Sequence, residues 1–87
     1  MKEIYRLFIL NSAQKEIRKL PKTEVERIIR IIKLLPSDPR PTGCKKLVST
    51  KSSYRIRIGN YRVLYLVDDI IRIVEVSAVK HRREAYE

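Results

Sequence analysis

The sequence predicts an α+β domain: a small antiparallel sheet of about four strands with an N-terminal helical hairpin packed on one face, in the order β-α-α-β-β-β. Three observations carry that expectation. Residues 53–69, SYRIRIGNYRVLYLVDD, alternate apolar and basic side chains on either side of Gly59-Asn60, the pattern of a hairpin with a two-residue loop. Val25, Ile28, Ile29, Ile32 and Leu35 recur at helical spacing. Between these two segments, PSDPRPTG (36–43) holds three prolines, which lack the amide hydrogen that a helix or central strand needs.

Residues 3–10 alternate and are rich in Ile, Tyr and Phe, so they form the first strand. Asn11 or Ser12 offers an N-cap for a short helix with Ala13, Ile17 and Leu20 on one side, and Pro21 ends it. A second helix begins near Pro21–Thr23 and runs to Leu35. The short linker makes the two antiparallel neighbours. Residues 44–48 add a short extension to the sheet, the hairpin occupies 54–67, and Asp68-Asp69 turns the chain into a last run, Ile70–Val76. Two helices cover one face of such a sheet. Ile56, Ile58, Tyr61, Val63, Tyr65 and Val67 form the floor beneath them, and Arg55, Arg57 and Arg62 lie on the open side.

The 87 residues are expected to make a single domain, 1–87, with no repeats or low-complexity tract. A net charge of +10 calls for an anionic partner: nucleic acid, an anionic membrane surface or an acidic protein. The single cysteine, Cys44, cannot form an internal disulfide and suits a reducing compartment. The apolar run in MKEIYRLFIL is too short for a signal peptide, so a soluble cytoplasmic protein is expected, with no membrane partner.

The charge is concentrated. No acidic residue lies between Asp38 and Asp68, a span that holds Arg40, Lys45, Lys46, Lys51, Arg55, Arg57 and Arg62. Both helices mix acids with bases, as solvated helix faces do. The Gly59-Asn60 loop sets Ile58 against Tyr61, Arg57 against Arg62, Ile56 against Val63 and Arg55 against Leu64. Directly opposed guanidiniums destabilise a sheet until an anion neutralises them, and phosphate fits their fork geometry. If Asp68-Asp69 is also a two-residue loop, Glu75 faces Arg62 and holds it in place. The C-terminal stretch adds Lys80, His81, Arg82, Arg83 and Tyr86; His81 is the one side chain with an ordinary pKa near neutrality, and Tyr86 is equally suited to anchor the terminus on the sheet. There is no phosphate-binding glycine loop, no Ser/His/Asp set and no metal-ligand cluster, so neither a cofactor nor a metal is expected.

YRIRIGNYRVLYLVDD followed by IIRIVEVSAVKHRREAY, with AQKEIRKLPK upstream, resembles the RelE-type toxins of the RelE/ParE superfamily, ribosome-dependent mRNA endonucleases of toxin–antitoxin pairs. The resemblance spans essentially the whole chain. It implies a type II toxin that inhibits translation by cutting mRNA in the ribosomal A site. The 2′-hydroxyl attacks the adjacent phosphate without a metal, and a cognate RelB-like antitoxin holds the toxin in check. Carried onto this chain, the family's two basic strand positions fall on Arg55 and Arg57 and its arginine on the next strand on Arg62. Its C-terminal basic group falls on His81–Arg83 and its tyrosine on Tyr86. Some members carry lysines where this chain has Arg55 and Arg57, and arginine does not give up a proton. The resemblance thus implies Arg62, His81, Tyr86 and Arg57 as catalytic residues, with Arg55, Arg57, Arg82 and Arg83 on the RNA; the acid-free run adds Lys45 and Lys46 to the RNA-binding set. Arg57 and Arg62 suit a crowded phosphorane; the acid–base candidates are His81, then Tyr86, then Glu75. Two other functions compete: a ParE-like toxin that inhibits DNA gyrase without nuclease chemistry, and a basic RNA-binding module that does not cut.

Overall fold

The computed structural model describes residues 4–48 and 52–81. Its elements are β1 (Arg6–Ile9), α1 (Asn11–Arg18), α2 (Lys22–Leu34), β2 (Lys45–Lys46), β3 (Ser53–Ile58), β4 (Tyr61–Asp68) and β5 (Ile73–His81). The strands form one sheet in the order β1-β5-β4-β3-β2. The α+β class and the helices packed against one side of the sheet match the sequence expectation. The sheet itself is mixed and five-stranded, because β1 runs parallel to β5 while the other pairs are antiparallel. A parallel neighbour requires a long crossover, which both helices and the hairpin supply here. Pairing across that distance leaves no local trace in the sequence.

Gly59 takes φ +61°, so the two-residue loop closes as expected and β3 pairs with β4 in the register Ile58–Tyr61, Arg57–Arg62, Ile56–Val63 and Arg55–Leu64. Ile56, Ile58, Val63, Tyr65 and Val67 are buried on the helix side, where α2 contributes Ile28 and Ile32, followed by Leu35. Val74 and Val76 complete the floor from β5. With period-2 strands and one covered face, every basic residue that alternates with this core is directed to the opposite, uncovered face.

The β4–β5 connection differs from the expected two-residue turn. Asp68 Oδ1 accepts the amide hydrogens of Ile70 and Ile71 at 2.9 and 3.1 Å, and Arg72 adopts φ 57°. Capping by its own aspartate lengthens the loop, so β5 starts at Ile73. A register shift between Leu64 and Tyr65 then leaves Ser77 as the extra residue of a β-bulge, its hydroxyl donating to Leu64 O at 3.2 Å.

Leu10, in extended conformation, precedes α1 at the N-cap position without a side-chain cap. Asn11 and Ser12, the expected caps, are instead helical, and the Ser12 hydroxyl donates to Ser77 O at 3.0 Å. β1 covers β5 only as far as Val76, so α1 tends the remaining edge with side chains. Glu16 Oε1 accepts the Val79 amide hydrogen at 2.9 Å while Oε2 pairs with Lys80 Nζ at 2.5 Å. A carboxylate here satisfies a strand edge that would otherwise remain open.

The proline loop is strapped to the β4–β5 turn. Arg40 donates to both carboxylate oxygens of Asp69 at 2.7 and 3.2 Å and to the Tyr54 hydroxyl at 2.9 Å. Tyr5 donates its hydroxyl to Asp69 Oδ1 at 2.5 Å. The Arg40 guanidinium, then Tyr5, hold the Asp69 carboxyl below its usual range. Tyr65 donates to Pro39 O at 2.8 Å; burial, then its contact with Cys44, pushes its phenol up, so that donor stays protonated.

Two outcomes follow. Glu16→Ala takes the acceptor from the Val79 amide and the carboxylate from Lys80 and is expected to cost about 1–2 kcal/mol, with Glu16→Gln costing less because it retains an acceptor; denaturant melts of both variants check this. Because Asp69 has a depressed folded-state pKa, its stabilisation is present above the unfolded value near 3.9 and is lost as pH falls through the folded value. The melting-temperature gap between wild type and Asp69→Asn should therefore be open at neutral pH and close in acid.

Candidate nucleic-acid interface

The hairpin register sets Arg57 opposite Arg62, and the bulge at Ser77 brings Lys80 opposite Arg62 on its other side. Three cations therefore form one row across β3, β4 and β5 on the uncovered face. The next row continues the charge: Arg55 pairs with Lys45 on β2 and with Leu64 on β4. Arg57 is exposed, Arg62 is half-buried with its Nε atom buried, and Lys80 is held by Glu16. Farther along the same face the character turns apolar, with Leu64, Leu66, Ile73 and Phe8. The basic residues of β2, β3 and β4 are thus grouped at the end of the face next to the Gly59-Asn60 turn, apart from Arg6 on β1.

Other sequence-derived candidates fall elsewhere. Lys46 pairs with Tyr54, so alternation assigns it to the helix side while Lys45 joins the arginines. Glu75 lies opposite Leu66 and beside Phe8, not opposite Arg62, because the four-residue loop shifts β5 by four positions there; beyond the bulge the shift is five, which brings Lys80 to Arg62. His81 pairs with Tyr61, its ring edge-on to the tyrosine with centroids 5.3 Å apart, and lines a cavity of about 320 Å³ with Glu16, Lys19 and Leu20. That is the side opposite Arg62. Arg82, Arg83 and Tyr86 lie outside the described residues, as does Lys51. Arg40, part of the same acid-free span, belongs to the Asp69 strap. Lys80 was visible in the sequence as part of a basic stretch; only the bulge reveals its place in the row. Among the described residues, no three or more His, Cys, Asp and Glu side chains converge in a way that would hold a metal ion, and no helix is long and apolar enough to cross a membrane.

A sheet covered on one side by two helices, with a cationic row on the other, has close relatives of known structure. It superimposes with a TM-score of 0.81 on the toxin in the archaeal RelE–RelB complex from Pyrococcus horikoshii OT3, at 30% identity over 94% of this chain and 97% of that one. Against the intact E. coli RelBE toxin–antitoxin complex the TM-score is 0.77, at 30% identity over 88% of this chain and 95% of that one. RelE1 of Methanocaldococcus jannaschii is 32% identical over 77 residues, 83% of each chain. The family model for the ParE toxin of the parDE type II toxin–antitoxin system matches residues 7–86. The chain belongs to that toxin family, and within the RelE/ParE superfamily it is a RelE-type toxin.

Removing either member of the opposed arginine pair tests whether the row serves binding or the fold. Arg57→Ala should preserve or raise the melting temperature, since it relieves like charge on an exposed strand position. Growth inhibition on induction should weaken strongly in Arg57→Ala and vanish in Arg62→Ala. Large destabilisation by both substitutions would instead mark the arginines as structural.

Proposed function

We propose that this chain is a ribosome-dependent endoribonuclease that cleaves message in the A site by metal-independent attack of a 2′-hydroxyl on the neighbouring phosphate. The observation that carries the reading is the Arg57–Arg62–Lys80 row: the register sets three cations side by side on an open face, a pattern that suits a phosphate. A phosphorane bears more charge than the phosphodiester it forms from, so the row favours the transition state over the bound substrate. Arg57 and Arg62 stabilise that charge, and Arg55 and Lys45, one row away, hold the backbone to either side.

Proton transfer falls to His81 or Tyr86. His81 stands at the end of β5 on the Tyr61 side, so it reaches a ribose only where the RNA passes beyond the strand end. The described surface is flat and small, and orienting the 2′-hydroxyl in line with the leaving oxygen accounts for much of the barrier reduction. The ribosome supplies that orientation, and free RNA is cut poorly. An acidic or amphipathic antitoxin segment that shields the cationic row would silence the protein; its structural relatives are RelE–RelB and RelBE toxin–antitoxin complexes.

ParE-like gyrase inhibition is the second reading, favoured by the name of the matching family model. Induction separates the two: translation arrest with cut transcripts supports the first, replication block with a DNA-damage response the second. The chemistry is tested by single-turnover cleavage of ribosome-bound message. Products should carry 2′,3′-cyclic phosphate and 5′-hydroxyl ends, and Arg62→Ala should slow the step by roughly 10²–10³-fold. If His81 moves the proton, His81→Gln slows the step without weakening RNA binding; if Tyr86 does, Tyr86→Phe has that effect instead. 5′-Phosphate ends would overturn the mechanism.

A further inference from the structure

Around the hairpin tip from the cationic row, a second basic feature joins the helix layer to the sheet. A cavity of about 360 Å³ opens between α2 and the β3–β4 turn. Arg27, Arg30 and Arg57 line it, with Thr42, Gly43 and Gly59 at its rim. Among the described residues, no carboxylate lines it. Arg27 and Arg30 are three residues apart and therefore share a face of α2. Both are exposed. The contact of Arg27 with Glu24 is long, at 3.5 Å. Its guanidinium also lies over the turn glycine, where a Cβ built on Gly59 would come within 3.2 Å of Nη1. A residue needed for its positive φ thus also leaves room for an arginine to approach the hairpin. Arg27 and Arg30 bring two guanidiniums to one opening, and helix residues of like charge at this spacing lower stability. Such an arrangement is suited to an anion.

We propose that this cavity is a second phosphate site, taking a backbone phosphodiester of RNA whose neighbouring segment lies on the open face. Arg57 links the two sites, because it belongs to the cationic row by register and also lines the cavity. RNA gripped on the sheet then continues around the hairpin tip to Arg27 and Arg30. The phosphodiester comes either from the message or from ribosomal RNA, which present the same chemistry. The inference rests on RNA being the substrate. It adds a grip on a different element, so it governs affinity and leaves the chemical step alone.

The test is the double variant Arg27→Gln/Arg30→Gln, made in an Arg62→Ala background for binding and in the wild-type background for cleavage. A charge-matched control, Lys15→Gln/Arg18→Gln, removes two cations from α1 instead. Binding is measured against salt for a single-stranded RNA oligonucleotide, for ribosomes carrying message and for ribosomes without it. The cavity variant should bind about 10-fold more weakly than the control in at least one arm. There, the slope of log affinity against log salt should fall by about 0.7–1.4, the loss of one or two phosphate contacts on single-stranded RNA. Weakening on the oligonucleotide or only on message-bearing ribosomes assigns the phosphate to message; equal weakening on empty ribosomes assigns it to ribosomal RNA. Arg27→Lys/Arg30→Lys should restore the slope, which separates charge from packing. In cleavage, KM should rise with the saturating rate unchanged. A cavity variant that matches the control in all three arms overturns the inference, as does one that loses only affinity for the antitoxin. If the wild-type chain cleaves message while the cavity variant matches the control, this site alone is wrong. If the parent background binds no RNA in any arm and wild type cuts none, the RNA reading falls and the inference falls with it.

Discussion

The positive φ of Gly59 is the constraint on which the working face depends. A two-residue loop is short enough to permit one register, and that register sets Arg57 against Arg62. A slip by one residue would carry the arginines into the core and the isoleucines into solvent, so burial of Ile56, Ile58 and Val63 enforces the same pairing. The apolar face therefore supplies the free energy that holds two cations together. The repulsion is sustained because the side chains responsible for it alternate with those that drive folding.

The basic residues divide by task. Arg40 is committed to Asp69 and Tyr54, and with them it binds the proline loop to the far turn. Lys80 is held from α1 by the carboxylate that also satisfies the free edge of β5. Arg55, Arg57 and Lys45 stand on the open face beside the hairpin turn. A large net charge thus reflects several local solutions, and most of the charge in the acid-free span lies within a few residues of the hairpin.

Where the determinants are local, the fold was legible from the sequence. The hairpin, its register, the α2 stripe and the proline loop each announce themselves within about a dozen residues, through period, turn residue or missing amide. Three features did not. The parallel partnership of β1 and β5 is made across almost the whole chain. The loop after β4 is lengthened by Asp68 capping its own turn, which two adjacent aspartates do not distinguish from a tighter one. The bulge at Ser77 depends on a hydroxyl meeting Leu64 O across the sheet. For the site, Arg57 and Arg62 followed from the turn alone. The positions of Lys80, His81 and Glu75 depended on the loop and the bulge, and Arg27 and Arg30 looked like ordinary members of a mixed helix surface.

The bulge has a further meaning for how such a face is inherited. Val74 and Val76 lie on the covered side, yet so does Val79, an odd-numbered residue on the same strand. Ser77 reverses the parity of β5 midway, exchanging the sides on which Lys80 and His81 emerge. The identity of the third side chain in the cationic row is therefore set by the presence of one inserted residue, independently of which amino acids follow it. Two aligned sequences with the same basic ending but differing by a single insertion here would present opposite halves of it to a ligand, and a column-by-column comparison would judge their sites identical.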